Sequence, residues 1–202
     1  MVAVAEKQSF IMPAAVREGP PTRIALSGKA GSGKTALAKR LAADFGFQHM
    51  SFARRLKEEL AELLDVSMFD FEDDKTRWRA LMQEWGSARR YQSEGYWIRK
   101  LLVRVPEDRS KRIVVDDLRY QNEARVLKRE GFVLVRLTVA LDEGMDYLLE
   151  GGMLGDVARV AASHPSETDL DSYRDFDVSI YAPRSRSLDD IYAELKEAIG
   201  WQ

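Results

Sequence analysis

The stretch from Arg23 to Ala42, RIALSGKAGSGKTALAKRLA, joins a short apolar strand pattern to a helical one through a glycine-rich turn. Arg23 to Ser27 reads as a buried strand. From Lys34 to Phe45, the apolar residues Leu37, Leu41 and Phe45 recur at helical spacing until Gly46 stops the pattern. Between the two, Gly28-Lys29-Ala30-Gly31-Ser32-Gly33-Lys34-Thr35 fits G-x-x-x-x-G-K-[ST] in full, in the strand, loop and helix setting that the motif needs. Glycines let the backbone curl into a nest of N–H donors around a polyphosphate, and the helix N-terminus adds a favourable dipole. Gly28, Ala30, Gly31, Ser32, Gly33, Lys34 and Thr35 are thus assigned to a nucleoside triphosphate. Lys34 is expected to reach its β- and γ-phosphates, and the Thr35 hydroxyl to ligate Mg²⁺.

The chain around this loop has 202 residues, 45% hydrophobic and 32% charged, enough for the core of one sizeable α/β domain. Gly19, Pro20 and Pro21 break regular structure ahead of the first strand. Residues 1–21 are therefore read as a tail or edge extension, and 22–202 as a single domain. With 31 basic and 33 acidic residues the formal charge is −2, which gives no global attraction to DNA, RNA or a membrane surface. Cysteine is absent, excluding disulfides and thiolate metal sites, and only His49 and His164 could offer imidazole. No apolar run approaches the roughly 20 residues that span a bilayer, and the N-terminus lacks a signal-peptide pattern. The expected location is the cytoplasm.

Downstream, FQHMSF (47–52) suggests a second short strand, followed by helical patterns up to Val105. This helical insert, about 51–105, contains a face of Trp78, Leu81, Met82 and Trp85. KRIVVDD gives a core strand, RYQNEARVLKREG a helix closed by Gly131, and FVLVRLTVA another strand. Strands alternating with helices imply a parallel sheet flanked by helices. Residues 141–175, with glycines at 144, 151, 152 and 155, read as a short lid. DFDVSIYAP is the expected last strand, and SLDDIYAELKEAIG a helix capped by Ser187 with Asp190 three residues on.

Asp116 and Asp117 leave the third core strand at the carboxyl edge of the sheet, where ligands of open α/β folds gather. Asp116 is the candidate Mg²⁺ ligand. Asp117 either caps the following helix or contacts a phosphate acceptor. The insert supplies Arg54, Arg55, Arg77, Arg79, Arg89, Arg90, Arg99 and Arg104. Transfer of a phosphoryl group between two anions needs such cations, although most helical arginines are solvated or paired, as Arg54 with Glu58 and Arg55 with Glu59. Arg54, at a helix start beside the second strand, is a candidate for the acceptor phosphate. Among Tyr91, Tyr96 and Trp97, one is expected to stack on a planar base.

These segments together resemble the nucleoside monophosphate kinases of P-loop type, most closely the deoxynucleoside monophosphate kinases of bacteriophages. The resemblance rests on GKAGSGKT, on RALMQEWGSARRYQSEGYWIRKL, which is similar to that family's L-Q-x-x-G-x-x-x-R…W segment, and on VVDDLRYQNEA with HPSETDLD and DFDVSI. Animal-type phosphomevalonate kinases share a similar layout. The resemblance implies a P-loop NTPase fold and transfer from ATP, with Mg²⁺, to a deoxynucleoside 5′-monophosphate. It implies that Lys34, Thr35 and Asp116 serve ATP and magnesium, and that Arg89, Trp97, Arg119 and Glu123 face the acceptor. Lys34, Arg89, Arg119 and Asp116 would be catalytic. Ser166 and Glu167 are placed near the site, and a homodimer in the host cytoplasm is implied if the chain is phage-encoded. Ser163 or Ser166 could equally cap a helix with Pro165 in its first turn. Lids of such kinases supply clamping arginines. Here the lid offers only Arg159 and Arg174, so the cations come from one of these, from the insert or from Arg136. Two other readings stay open: a P-loop kinase for phosphomevalonate or dephospho-coenzyme A, and a nucleotide-binding switch.

Overall fold

Branched aliphatic residues alternate in facing along the strands, and both faces are covered by helices, which is what a largely parallel sheet requires. A computed structural model of the chain describes residues 10–11, 19–73, 75–139, 146, 149–150, 152 and 155–201. Its strands are β1 (Phe10–Ile11), β2 (Arg23–Gly28), β3 (Gln48–Met50), β4 (Ile113–Leu118), β5 (Val133–Thr138) and β6 (Val178–Tyr181). They lie in the order β1-β6-β5-β2-β4-β3. Strands β2 to β6 are mutually parallel, and β1 adds an antiparallel edge by pairing Phe10 with Ser179. The other residues up to 18, expected as tail or extension, lie outside the described residues.

Strand β2 occupies the middle, with Ile24 opposite Val114 on one side and Val133 on the other. Ile24, Leu26, Val114, Val133 and Val135 point to one face, where α1 (Lys34–Phe45) and α9 (Leu188–Ile199) bury Leu37, Leu41, Ile191 and Leu195. Ala25, Ile113, Val115 and Leu134 point to the other, under α2 (Phe52–Leu64), α3 (Met68–Asp73), α4 (Lys75–Gln92), α5 (Tyr96–Leu102) and α6 (Gln121–Arg129). The helical insert is therefore one of the two layers of the core.

Helix ends follow from local chemistry. Gly46 takes a left-handed conformation and its N–H closes α1 on Ala42. Ser51 caps α2 and Ser187 caps α9 through side-chain oxygens, as the sequence predicts for the latter. On α4, Trp78, Met82 and Trp85 pack against the core, but Leu81 stays partly exposed at the rim of that face. The described part of the lid region forms α7 (Gly155–Ser163), α8 (Pro165–Thr168) and a 3₁₀ turn (Asp169–Asp171). His164 caps α8, its Nδ1 accepting from the Ser166 N–H at 3.1 Å, where Ser163 or Ser166 was the expected cap. Residues 140–145, 147–148, 151 and 153–154 of the expected lid and its approach lie outside the described set. Among the described residues no helix is long and apolar enough to cross a membrane.

Leu37 is fully buried where α1 meets the sheet directly behind the glycine loop. Leu37→Ala should lower unfolding stability by about 2–5 kcal/mol in urea titrations. A loss under about 1 kcal/mol would contradict this packing.

Candidate active site

The loop after β2 is shaped by glycine where no other residue fits. A Cβ on Gly28 would lie 2.5 Å from Ser32 Oγ and 2.8 Å from the Leu137 carbonyl. Gly33, which precedes the first turn of α1, has φ +84°. Lys34 Nζ folds back to donate to the Lys29 carbonyl at 2.6 Å and to Ser32 Oγ at 3.1 Å. Burial, with Arg119 nearby, pushes the Lys34 ammonium down to about 7 against the pull of Glu167 and Asp116. A polyphosphate beside it would favour the charged form.

Strand β4 brings its two carboxylates to the same edge. Thr35 Oγ1 donates to Asp116 Oδ2 at 2.6 Å, and His49 Nε2 lies 3.0 Å from Oδ1. Burial works to raise the Asp116 carboxyl, but His49 and Thr35 hold it below its ordinary value. The Thr35 hydroxyl and the Asp116 carboxylate are hard oxygen donors in contact, the donor type Mg²⁺ takes. Asp117 turns the other way and accepts from the Phe52 and Ala53 N–H groups, both at 2.8 Å. It therefore caps α2 across the sheet and not the following helix, the first of the two roles expected of it, and it also lines the cavity described next. Burial and the charge of Asp116 push the Asp117 carboxyl up to about 7. The helix after β4 is closed instead by Glu123, whose Oε2 accepts from the Arg119 and Tyr120 N–H groups at 3.1 Å.

Beside the loop lies a cavity of about 160 Å³. Phe52, Leu56, Met82, Trp97 and Tyr120 form apolar walls, and Arg79, Arg90 and Arg119 bring positive charge. Gln83, His164, Ser166 and Glu167 complete the polar side with Asp117. One face of α4 positions much of this: residues 79, 83 and 87, spaced by four, bond in turn to Glu167, the Ala161 carbonyl and His164. Arg90 stacks 3.8 Å over the Tyr120 ring and donates to Glu123 Oε1 at 3.0 Å. Arg119 is half-buried; loss of water around it would lower its guanidinium, but Glu167 and Asp117 raise it above the usual value. Arg136 donates to Ser27 Oγ and to Asp171, both at 2.8 Å, beneath the loop.

Several expected acceptor residues sit elsewhere. Arg89 does not line the cavity: it stacks on Trp85 and Tyr96, with Nε 3.4 Å from Glu59. Its neighbour Arg90 takes the place, and counting L-Q-x-x-G-x-x-x-R from Gln83 and Gly86 lands on Arg90. Arg54 is exposed and pairs with Glu58 in a separate groove with Arg55 and Arg104. Glu123 is fully buried and holds Arg90 and two backbone amides instead of lining the cavity. Trp97 is 2% exposed, a core residue with one edge in the cavity wall and its indole N–H on the Gly86 carbonyl. Of the lid arginines, Arg159 pairs with Asp156 on the surface and Arg174 with the Asp171 carbonyl. The residue that sequence reasoning passed over is Arg79. Its spacing to Gln83 marks it as a member of the same helix face.

Comparisons with known proteins bear on the fold and the family. A mimivirus protein provisionally named as a deoxynucleotide monophosphate kinase is 26% identical over 200 positions, covering 85% of this chain and 93% of that one. Mouse adenylate kinase 9 is 38% identical over 68 residues, which span 33% of this chain but 4% of that protein. Two solved kinases share the fold at 15% identity. A gluconokinase from Sinorhizobium meliloti matches with a TM-score of 0.51 over 91% of this chain and 94% of its own. A shikimate kinase from Bacteroides thetaiotaomicron matches with a TM-score of 0.50 over 88% and 98%. The sheet, the glycine loop and these neighbours make the fold that of a P-loop kinase. The family model described as phosphomevalonate kinase matches residues 26–132, just over half of the chain, and the protein belongs to that family.

Proposed function

We propose that the protein transfers the terminal phosphoryl group of ATP, with Mg²⁺, to a deoxynucleoside 5′-monophosphate, releasing ADP and the nucleoside diphosphate. The observation that carries this reading is the cavity beside the loop, which joins apolar and aromatic walls to three arginines. A base needs the first and a phosphate the second. The mimivirus relative bears a name of the same kind along most of its length.

In this reading the loop amides and Lys34 hold the triphosphate, and Thr35 and Asp116 hold the metal, whose charge would neutralise the donor oxygens. Arg79, Arg90 and Arg119 receive the acceptor phosphate. One of its oxygens forms the new bond to phosphorus as the bond to the bridging oxygen of ADP breaks. That oxygen is already anionic near neutral pH, so the site works by positioning and electrostatics and needs no strong base. His164, tied to Ser87 and Ser166, is a polar contact in this scheme. Residues 22–202 act as one kinase domain, and the homodimer implied by the resemblance can be read by sedimentation.

A second reading, phosphomevalonate as acceptor, is favoured by the family match over residues 26–132. The two separate when purified protein, ATP and Mg²⁺ are offered ribo- and deoxynucleoside monophosphates, phosphomevalonate and dephospho-coenzyme A. We expect a deoxynucleoside diphosphate as product. Consumption of phosphomevalonate alone would support the second reading, and slow ATP hydrolysis with no acceptor product would make the protein a nucleotide switch. Lys34→Met should reduce transfer by roughly 100-fold or more. Arg90→Gln should raise the acceptor KM about 10- to 100-fold, the worth of one charged hydrogen bond. Arg89→Gln should leave it within about threefold; the opposite order would return the acceptor contact to Arg89.

A further inference from the structure

Glu167 is the meeting point of four elements. Its Oε1 accepts from Arg79 of α4 at 2.7 Å and from Arg119, at the end of β4, at 2.5 Å. Its Oε2 accepts from the Ala30 N–H of the phosphate loop at 3.2 Å. Its own carbonyl accepts from Lys29, whose ammonium also lies 2.5 Å from Asp171. The side chain is 4% exposed, so these donors replace most of the water around the carboxylate.

We propose that Glu167 is a positioning residue that aligns Arg79 and Arg119 on the first residues of the phosphate loop, so that occupancy of the loop is felt in the helical insert. This rests on the kinase reading above only in taking the loop as the nucleotide site. Two guanidinium groups side by side repel each other, and each sits on a long, rotatable stem. A carboxylate between them offsets the repulsion and fixes both forks. Each guanidinium carries its N–H donors in a fixed plane, and Glu167 engages one nitrogen of each, so one carboxylate oxygen sets the orientation of both forks. The third contact makes the pair part of the loop, because the Ala30 N–H belongs to the glycine-rich turn itself. The charge state fits the role, because Arg119, Arg79 and Lys34 hold the carboxyl below its ordinary value despite burial. The link into α4 does not depend on Arg79 alone, since Gln83 and Ser87 bond the same stretch, 161–164, that leads into Glu167.

Hydrogen exchange on the whole protein tests this without an acceptor. In the natural protein, β,γ-imido-ATP with Mg²⁺ should slow exchange in the loop (28–35) and in α4 (77–92). In Glu167→Gln, which keeps the shape but not the charge, protection of the loop should persist while that of α4 falls at least threefold. Glu167→Asp, which keeps the charge on a shorter stem, should recover part of it. With the acceptor found in the panel, the Gln variant should lose 10- to 100-fold in kcat with KM for ATP within about threefold. Equal α4 protection in the natural protein and the Gln variant would overturn the proposal, whatever acceptor the panel finds. So would a nucleotide that protects neither segment in the natural protein. An empty panel with α4 protection lost only in the Gln variant would overturn the kinase reading and leave the role of Glu167 standing.

Discussion

Parallel pairing of β2 with both β4 and β5 decides what can meet at the site. Parallel neighbours end at the same edge, so the glycine loop after β2 and the aspartates of β4 converge there, although about 80 residues separate them in sequence. Arg136 of β5 stands opposite Ser27 at that edge. The Thr35 to Asp116 bond at 2.6 Å fastens the loop helix to β4. The helical insert then has one place to lie, packed over β4 and α2 through Trp97, Leu101 and Phe71, and that packing presents α4 to the loop. A shift in the register of β2 would separate all of these groups at once.

The overall charge of −2 hides a strong local pattern. Lys34, Arg79, Arg90, Arg119 and Arg136 surround the edge, interleaved with Asp116, Asp117, Glu123, Glu167 and Asp171. Buried ions are costly unless paired and hydrogen-bonded. Here each carboxylate meets a defined partner: Glu123 holds Arg90, Glu167 holds Arg79 and Arg119, Asp171 holds Lys29 and Arg136. The result is a set of fixed dipoles and charges aimed at one small volume, the form of catalysis that phosphoryl transfer depends on most.

What the sequence made legible was local. The strand, loop and helix from Arg23 to Phe45, the caps at Ser187 and Gly46, and the alternation that gives a parallel sheet all depend on neighbours within a few residues. Two kinds of contact were not legible in this way. The first is a matter of one position: Arg89, expected at the acceptor, precedes Arg90, and one residue on a helix turns the side chain by about 100°. That rotation carries Arg89 to Glu59 and away from the cavity. Asp117 and Glu167 do line the cavity, as expected, but their partners are of the second kind. Asp117 caps a helix whose amides lie 64 and 65 residues away, and Glu167 finds its arginines 88 and 48 residues away. No spacing rule within one segment reveals such partners. Arg54 lies outside the cavity for a simpler reason, since its i,i+4 pairing with Glu58 already describes its place on the surface.

The proposed function makes a single geometric demand: donor and acceptor phosphates must lie on either side of Arg119. A crystal structure with a bisubstrate analogue, adenosine joined through a polyphosphate chain to a deoxynucleoside, examines it directly. The account predicts the adenosine side of the chain in the 28–35 loop against Lys34. It places the distal phosphate among Arg79, Arg90 and Arg119, with the deoxynucleoside between Phe52 and Tyr120. A distal nucleoside seated instead in the groove of Arg54, Arg55 and Arg104, or left unbound while the loop is filled, would contradict it.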